Sequence, residues 1–475
     1  MSDRLTVLRD HLGVLGYASL LAGWDHLDEA QKSALVENLE SHDLDAVHRL
    51  AGSATERAAI SGELSAPKWY SADPALVGER STSIDAAAAA RAGESLLARG
   101  SVAVCTVAGG QGTRLGWRGP KGTYPATPVT GKSLFGCQAQ QILHAQRTWG
   151  VVVPWYIMTS EENDEATRAF FSDNNCFGLR RSDIFMVLQG RTVSVDAQTR
   201  VPLLATATSL ATNPDGHGGV IAALYSAGSL EDMATRGIEH ISYVQIDNPL
   251  ARLLDPVFLG LHIDESISSG EFSSKMVVRE EASERVGVFA QIQDHVRIVE
   301  YSDLPAAAGE ARNNSGELEL IGGNPAIHLL AREFVETLAT GDPLPWHEAN
   351  KVMACFDPCH QRRVDPNEPN ATKFERFIFD ALPRAACPVL LATPRSREFA
   401  PIKNRRGADS PASSTQLQCN LYGSWLEANG VEVERNEAGD VLGRIEISPL
   451  TAMSAEDLKG HTLPEAVGQG DFLAL

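Results

Sequence analysis

The sequence predicts an α/β fold, a doubly wound sheet flanked by helices. Three observations carry this. Val102 to Ala108 is an unbroken run of small or apolar residues, as a strand buried on both faces requires. A glycine-rich turn, Gly109-Gly110-Gln111-Gly112, follows it at once. Beyond that turn, strand-like and helix-like stretches alternate at short intervals. In such sheets ligands sit at the carboxyl ends of the strands, where these turns fall.

The elements follow in chain order. Leu5, Leu8, Leu12 and Leu15 recur at helical spacing, and a second pattern runs through Leu35, Leu39, Leu44, Val47 and Leu50. Residues 1 to about 60 therefore read as helices that cap the main domain, with Asp43 and Asp45 where caps lie. Residues 61–83 are rich in Ser, Pro and Ala and read as a connector. Ala86 to Leu97 is an alanine-rich helix leading into the central strand. Ser133 to Trp149 reads as a helix capped by Ser133 and ended by Gly150. Val151–Thr159 is the next strand, Ser160–Phe171 a helix with acids at its positive end, and Ile184–Gln189 a third strand. A helix is expected over Val220–Leu230 and a strand over His240–Ile246. Lys275–Val278, Val286–Gln291 and Val296–Tyr301 read as turn-linked strands. Residues 407–415, rich in Ser, Ala and Pro, read as flexible before a helix from Gln416 to Asn429. The expected organisation is an N-terminal helical region (1–95), a central domain (96–400) and a small C-terminal domain (401–475).

Composition narrows the function. The chain has 475 residues, 43% apolar and 21% charged, as ordinary globular proteins do. Its formal net charge of −20 speaks against a nucleic-acid or anionic-membrane surface, but not against small anions met by local cations. The N-terminus lacks the apolar core of a signal peptide, and no run of 18 apolar residues suggests a membrane span. Seven scattered cysteines suit free thiols in a reducing, cytoplasmic setting. Cys355, Cys359 and His360 lack a fourth ligand at a matching spacing, which disfavours a metal site there.

The glycine turn carries the chemistry. Its backbone amides make a nest for anions, and glycine permits close approach. Arg114 can fork onto phosphate oxygens, and Lys121 adds a point charge. Together they suit a polyanion such as a nucleoside triphosphate. A dinucleotide fold is the first alternative, but Leu115 stands where its third glycine belongs. A Walker A loop is the second. Ala126 to Ser133 approaches it with Gly131-Lys132-Ser133, yet alanine replaces the first glycine and no apolar strand precedes it. The sugar-nucleotidyltransferase loop, G-x-G-T-R-L followed by Pro120-Lys121, fits at every position.

Three later stretches add candidates. Pro214-Asp215-Gly216-His217-Gly218-Gly219 opens a helix. On residue chemistry alone it reads as an ordinary turn, with close approach to a ligand as the alternative. Asp247-Asn248-Pro249 ends a strand; Asp247 serves either as a ligand to Mg²⁺ or a ribose hydroxyl, or as a turn-forming residue. Lys403, in Phe399-Ala400-Pro401-Ile402-Lys403-Asn404, reads on residue statistics as a surface lysine, but Arg405 and Arg406 make its surroundings basic in an acidic chain.

These residues resemble the eukaryotic-type UDP-sugar pyrophosphorylases, most closely their N-acetylglucosamine branch, over roughly residues 100–430. The loop at Gly110–Lys121, Asp247-Asn248, Ile321-Gly322-Gly323-Asn324 and the 399–404 stretch carry the resemblance. It implies a mixed, Rossmann-like nucleotidyltransferase sheet, and a reaction joining UTP to a sugar 1-phosphate with release of pyrophosphate and with Mg²⁺ as cofactor. It also implies that Arg114, Lys121 and Lys403 act on the phosphates. Gln189 and the backbone at Gly110 and Gly216 would bind uracil, and Gly109 would be substrate-binding. His217, Glu300 and Asn324 would line the sugar pocket, and Asp247 would hold the nucleotide phosphates or their metal. The acetylated branch usually has Asn where this chain has His217, and the UDP-glucose branch usually has His followed by Gly-Asp. A UDP-glucose or broad-specificity enzyme is therefore the alternative, and a non-catalytic nucleotide-sugar sensor is the alternative from another class.

Overall fold

The computed structural model describes residues 2–52, 62–78, 80–314 and 316–475. The stretch of the expected N-terminal helical region at residues 53–60 lies outside them. Two compact units emerge, each gathered from separated stretches. The larger takes Gly62–Leu188, Val220–Asp342 and Ala381–Leu475, and the smaller takes Met1–Ser61, Gln189–Gly219 and Pro343–Asp380.

The larger unit is mixed α/β. Among the described residues it holds a thirteen-stranded sheet. Its centre comprises β1 (Val102–Val107), β2 (Trp155–Thr159), β3 (Ile184–Leu188), β4 (His240–Gln245), β5 (Phe272–Val278), β6 (Ile327–Ala331) and β7 (Val389–Ala392). The spatial order is β5-β6-β4-β1-β2-β3, with β7 beside β5. Strands β4, β1, β2 and β3 are parallel, whereas β6 runs antiparallel to both β4 and β5.

Register fixes which turns share an edge. Val107 lies opposite Met158 and Gln245, Val244 opposite Ile327, and Met276 opposite Ala392. The segments after β1, β4 and β7, and the one entering β6, thus leave the sheet on the same side. The strands hold that edge rigidly because their side chains are buried on both faces. Phe135, Trp155 and Phe171 pack edge to face beneath it. The one hydroxyl on β1, Thr106, accepts from Trp155 Nε1 and donates to Gln138 Oε1, both at 2.8 Å.

The helix after the glycine loop spans Leu134–Trp149. Ser133 Oγ accepts from the Gly136 N–H at 3.0 Å, and Gly150 ends it at φ 68°. Strand β2 starts at Trp155 because the preceding stretch carries Pro154, whose carbonyl accepts from Val104 N. The expected helix over Val220–Leu230 is two helices, Val220–Ser226 and Ser229–Thr235, broken where Gly228 turns at φ 68°. The stretch 407–415 is also corrected: a helix begins at Pro411 and runs to Glu427. Ser410 and Ser413 cap it reciprocally, and proline suits the first helical position. Behind it, short strands at Glu432–Val433, Arg444–Glu446, Ala466–Val467 and Phe472–Ala474 enclose a core of Leu426, Val441, Ile445 and Leu458.

In the smaller unit, helices Ser2–Leu15, Glu29–Glu40 and Leu44–Gly52 bury Leu8, Leu12, Leu35 and Leu39 against Val193, Val195, Leu204 and Phe374. Asp28 and Asp43 cap the second and third helices.

Candidate active site

The glycine loop leaves β1 and is braced from beneath. Ala108 N bonds Met158 O at 2.8 Å, Lys121 N bonds Gly110 O at 3.1 Å, and Gly112 N bonds Gly119 O at 3.1 Å. Asn163, almost wholly buried at the start of helix Asp164–Asp173, donates to Ala108 O at 2.8 Å and to Gly110 O at 3.3 Å. Sequence reasoning passed over Asn163; a side-chain amide just ahead of a helix was its only signal. Positive φ falls at Gly116 and Gly119, further along than the Gly109–Gly112 turn suggests. Gly110 has open space on its Cβ side, so its backbone is uncovered there. Arg114 is exposed and makes no ion pair among the described residues.

Two segments remote in sequence converge on Asp247. Lys121 Nζ lies 3.3 Å from its Oδ2, with only 16% and 14% of the two side chains exposed. Ile402 N donates to the Asp247 carbonyl at 2.8 Å, which places Lys403 beside it. Burial pushes the Asp247 carboxyl up, but Lys121 and Lys403 outweigh burial and hold it below its ordinary range. The group is therefore a carboxylate, paired with Lys121 and within the field of the Lys403 ammonium.

Asn248 explains why Lys403 arrives there. Its buried amide donates to Glu398 O at 2.6 Å and accepts from Ala400 N at 3.1 Å. Its Oδ1 also accepts from Leu250 N, so it is a turn former and an anchor at once. Glu398 is fixed in turn: Lys275 Nζ, fully buried, lies 2.6 Å from Glu398 and from Asp255, and Thr393 Oγ1 lies 3.0 Å from Glu398. These second anchors were not legible in sequence.

Glu300 and Asn324 meet around Gly287. A Cβ at Gly287 would lie 3.4 Å from Glu300 Oε1 and 3.8 Å from Asn324 Cβ. Asn324 N bonds Gly287 O, and Asn324 Oδ1 accepts from Ala326 N. Asn324 enters β6, so it lies on the same sheet edge as Asp247.

In the smaller unit, Gln189 donates to Gly216 O at 2.6 Å. The glycines of this turn serve the chain's own backbone. A Cβ on Gly216 would stand 2.4 Å from Arg376 O, and one on Gly218 2.7 Å from the Phe377 backbone. Gly216 also has φ 86°. Gly216 thus makes the ordinary turn that residue chemistry favours, and the close approach of this stretch is to residues 376–377. His217 accepts from Ile378 N at Nδ1 and stacks on Phe377 at 5.1 Å. Burial, then His347, lowers its pKa to about 4, so it is neutral with the proton on Nε2.

The loop that approached a Walker pattern does cradle an anion, the chain's own. Val129 N and Thr130 N donate to Glu446 Oε2 at 3.1 and 2.8 Å, and Thr130 Oγ1 to Oε1 at 2.6 Å. Lys132 pairs with it at 3.2 Å. Elsewhere His360 pairs with Asp357. Among the described residues no three His, Cys, Asp or Glu side chains gather as a metal site. A magnesium ion borne on nucleotide phosphates needs only one or two protein carboxylates, and Asp247 offers one.

The chain matches the family described as UTP–glucose-1-phosphate uridylyltransferase over residues 71–406. It belongs to that family. It is 33% identical to UDP-N-acetylglucosamine diphosphorylase 1 of Arabidopsis thaliana over 472 residues, 95% of this chain and 90% of the relative. It is 35% identical to the UDP-N-acetylglucosamine pyrophosphorylase of Saccharomyces cerevisiae, over 72% of this chain and 73% of that one. Its fold matches the solved uridine diphosphate N-acetylglucosamine pyrophosphorylase of Trypanosoma brucei with a TM-score of 0.77 at 24% identity, covering 99% of this chain and 98% of that one. This family of UDP-sugar pyrophosphorylases, and its N-acetylglucosamine members above all, is the one that the glycine loop and Asp247-Asn248 resemble. Among the described residues no helix is long and apolar enough to cross a membrane.

Proposed function

We propose that this uridylyltransferase makes UDP-N-acetylglucosamine and pyrophosphate from UTP and N-acetylglucosamine 1-phosphate. The observation that carries the reading is the convergence of Lys121, Asp247 and the Lys403 segment on one sheet edge. A phosphate oxygen of the sugar attacks the α-phosphorus in line, and pyrophosphate leaves opposite. Each pair of like charges brought to ~4 Å costs roughly 4 kcal/mol at an effective dielectric of ~20. The site therefore has to supply cations, and it needs no covalent nucleophile.

Arg114 binds the departing pyrophosphate. Lys121 faces the α-phosphate, and Lys403 neutralises the attacking phosphate. Asp247 pairs with Lys121, lies in the field of Lys403 and would hold Mg²⁺, which when bound offsets charge on the separating phosphates. Gly110 presents bare backbone, Gly109 is assigned to the substrate beside it, and Gln189 and Gly216 are assigned to uracil. Glu300, Asn324 and His217 are assigned to the sugar. The seven cysteines are all free thiols, which supports a cytoplasmic setting.

His217 favours a second reading, a UDP-glucose or broad-specificity enzyme, because it departs from the Asn usual in the acetylated branch. Pyrophosphate release from UTP with each sugar 1-phosphate decides between them. Preference for glucose 1-phosphate overturns the first reading, and release with neither favours a nucleotide-sugar sensor.

A further inference from the structure

Arg405 has no role in the reading above, yet it lies against the glycine loop. A Cβ built on Gly116 would stand 3.8 Å from Arg405 Nε and 4.0 Å from Cζ. Gly116, at φ 74°, closes the short turn Thr113–Leu115 that carries Arg114. Arg405 is thus the neighbour of the turn that presents Arg114. It is exposed and forms no ion pair among the described residues. Its backbone is anchored two and three residues earlier: Lys403 N bonds Asp409 O, and Ile402 N bonds Asp247 O. The chain carries a net charge of −20, yet here two guanidinium groups without carboxylate partners flank a loop with open backbone at Gly110.

We propose that Arg405 is a second pyrophosphate-binding guanidinium, acting with Arg114 on the β- and γ-phosphates of UTP. The proposal rests on the reading of the glycine loop as the triphosphate site. Guanidinium forks match phosphate oxygens bidentately, and two of them flanking one loop suit a diphosphate better than a single phosphate. Lys121 pairs with Asp247 and Lys403 lies within its field, so those two ammonium groups are assigned to the reacting phosphates and the two guanidinium groups to the departing diphosphate.

The test titrates inorganic pyrophosphate into the full chain by calorimetry, without sugar phosphate, beside a turnover assay. Arg405→Ala should weaken pyrophosphate binding about tenfold, and Arg405→Lys should recover part of that loss. In turnover, Arg405→Ala should raise the KM for UTP and leave the KM for the sugar phosphate unchanged. Pyrophosphate binding equal in Arg405→Ala and the native chain overturns the proposal, as does no binding to the native chain. Binding that depends on Arg405, in a chain that releases no pyrophosphate from UTP, upholds the site while overturning the proposed reaction.

Discussion

Replacing Lys121 by alanine tests the electrostatic core of the site. Its ammonium lies 3.3 Å from Asp247 Oδ2, with both groups largely buried. At that separation and an effective dielectric of about 20, a unit pair is worth about 5 kcal/mol before desolvation. A phosphate oxygen taking the place of the carboxylate oxygen meets a similar field. Loss of one preorganised cation from such a site lowers turnover about 100- to 1000-fold. Asp247, left with Lys403 alone, should also rise in pKa, since Lys121 is the larger of the two cationic influences holding it down. The assay is steady-state pyrophosphate release, with UTP and sugar phosphate each varied. The account expects kcat to fall by that factor while the KM for the sugar phosphate moves less than threefold. Turnover of Lys121→Ala within threefold of the native rate refutes the reasoning.

Three further outcomes follow from the same geometry. Asn248→Ala removes the tie to Glu398 and Ala400, so kcat should fall about 10- to 100-fold; in a Lys403→Ala background it should cost nothing more, and equal losses in both backgrounds would show that Asn248 does not act through Lys403. Glu446→Gln takes the charge out of the Thr130–Lys132 cradle, and denaturant unfolding should show a loss of about 3 kcal/mol; an unchanged midpoint contradicts the cradle. His217 and His240 are pushed down to about 4, first by burial, and His262 lies well below its ordinary value for the same reason. The unfolded chain then binds more protons than the folded one between about pH 6.5 and 4, so stability is full above that window and declines as pH falls through it. Thermal midpoints from pH 7.5 to 4.5 should show the decline, with a shallower slope in His217→Phe; a flat profile counts against neutral buried imidazoles.

Much of the larger unit was legible in sequence because local and global signals agree there. Val102–Val107 reads as a doubly buried strand and is one, and Ser133 and Gly150 cap their helix as their chemistry predicts. The antiparallel β6 was hidden, since a buried strand reads the same in either direction. Ser410-Pro411 reads as a flexible stretch in sequence because helix-starting residues share their composition with linkers, yet it opens a helix. The anion in the Ala126–Ser133 loop could not be foreseen, as Glu446 lies 316 residues from Thr130. Asn248 looked like a turn former and is one; its second bond, to a segment 150 residues on, belongs to tertiary structure. The stretch at 216–219 was legible as a turn, with close approach as the alternative, but its approach to Arg376 and Phe377 was not.

An enzyme of this kind joins the uridylyl group of UTP to an acetylated sugar phosphate. The most direct test is pyrophosphate release from UTP and Mg²⁺ with N-acetylglucosamine 1-phosphate and, in parallel, glucose 1-phosphate. The account predicts release with both UTP and the acetylated sugar present, at a higher kcat/KM than with glucose 1-phosphate. Higher kcat/KM for glucose 1-phosphate, or no release with either sugar from a folded chain that binds UTP, contradicts it.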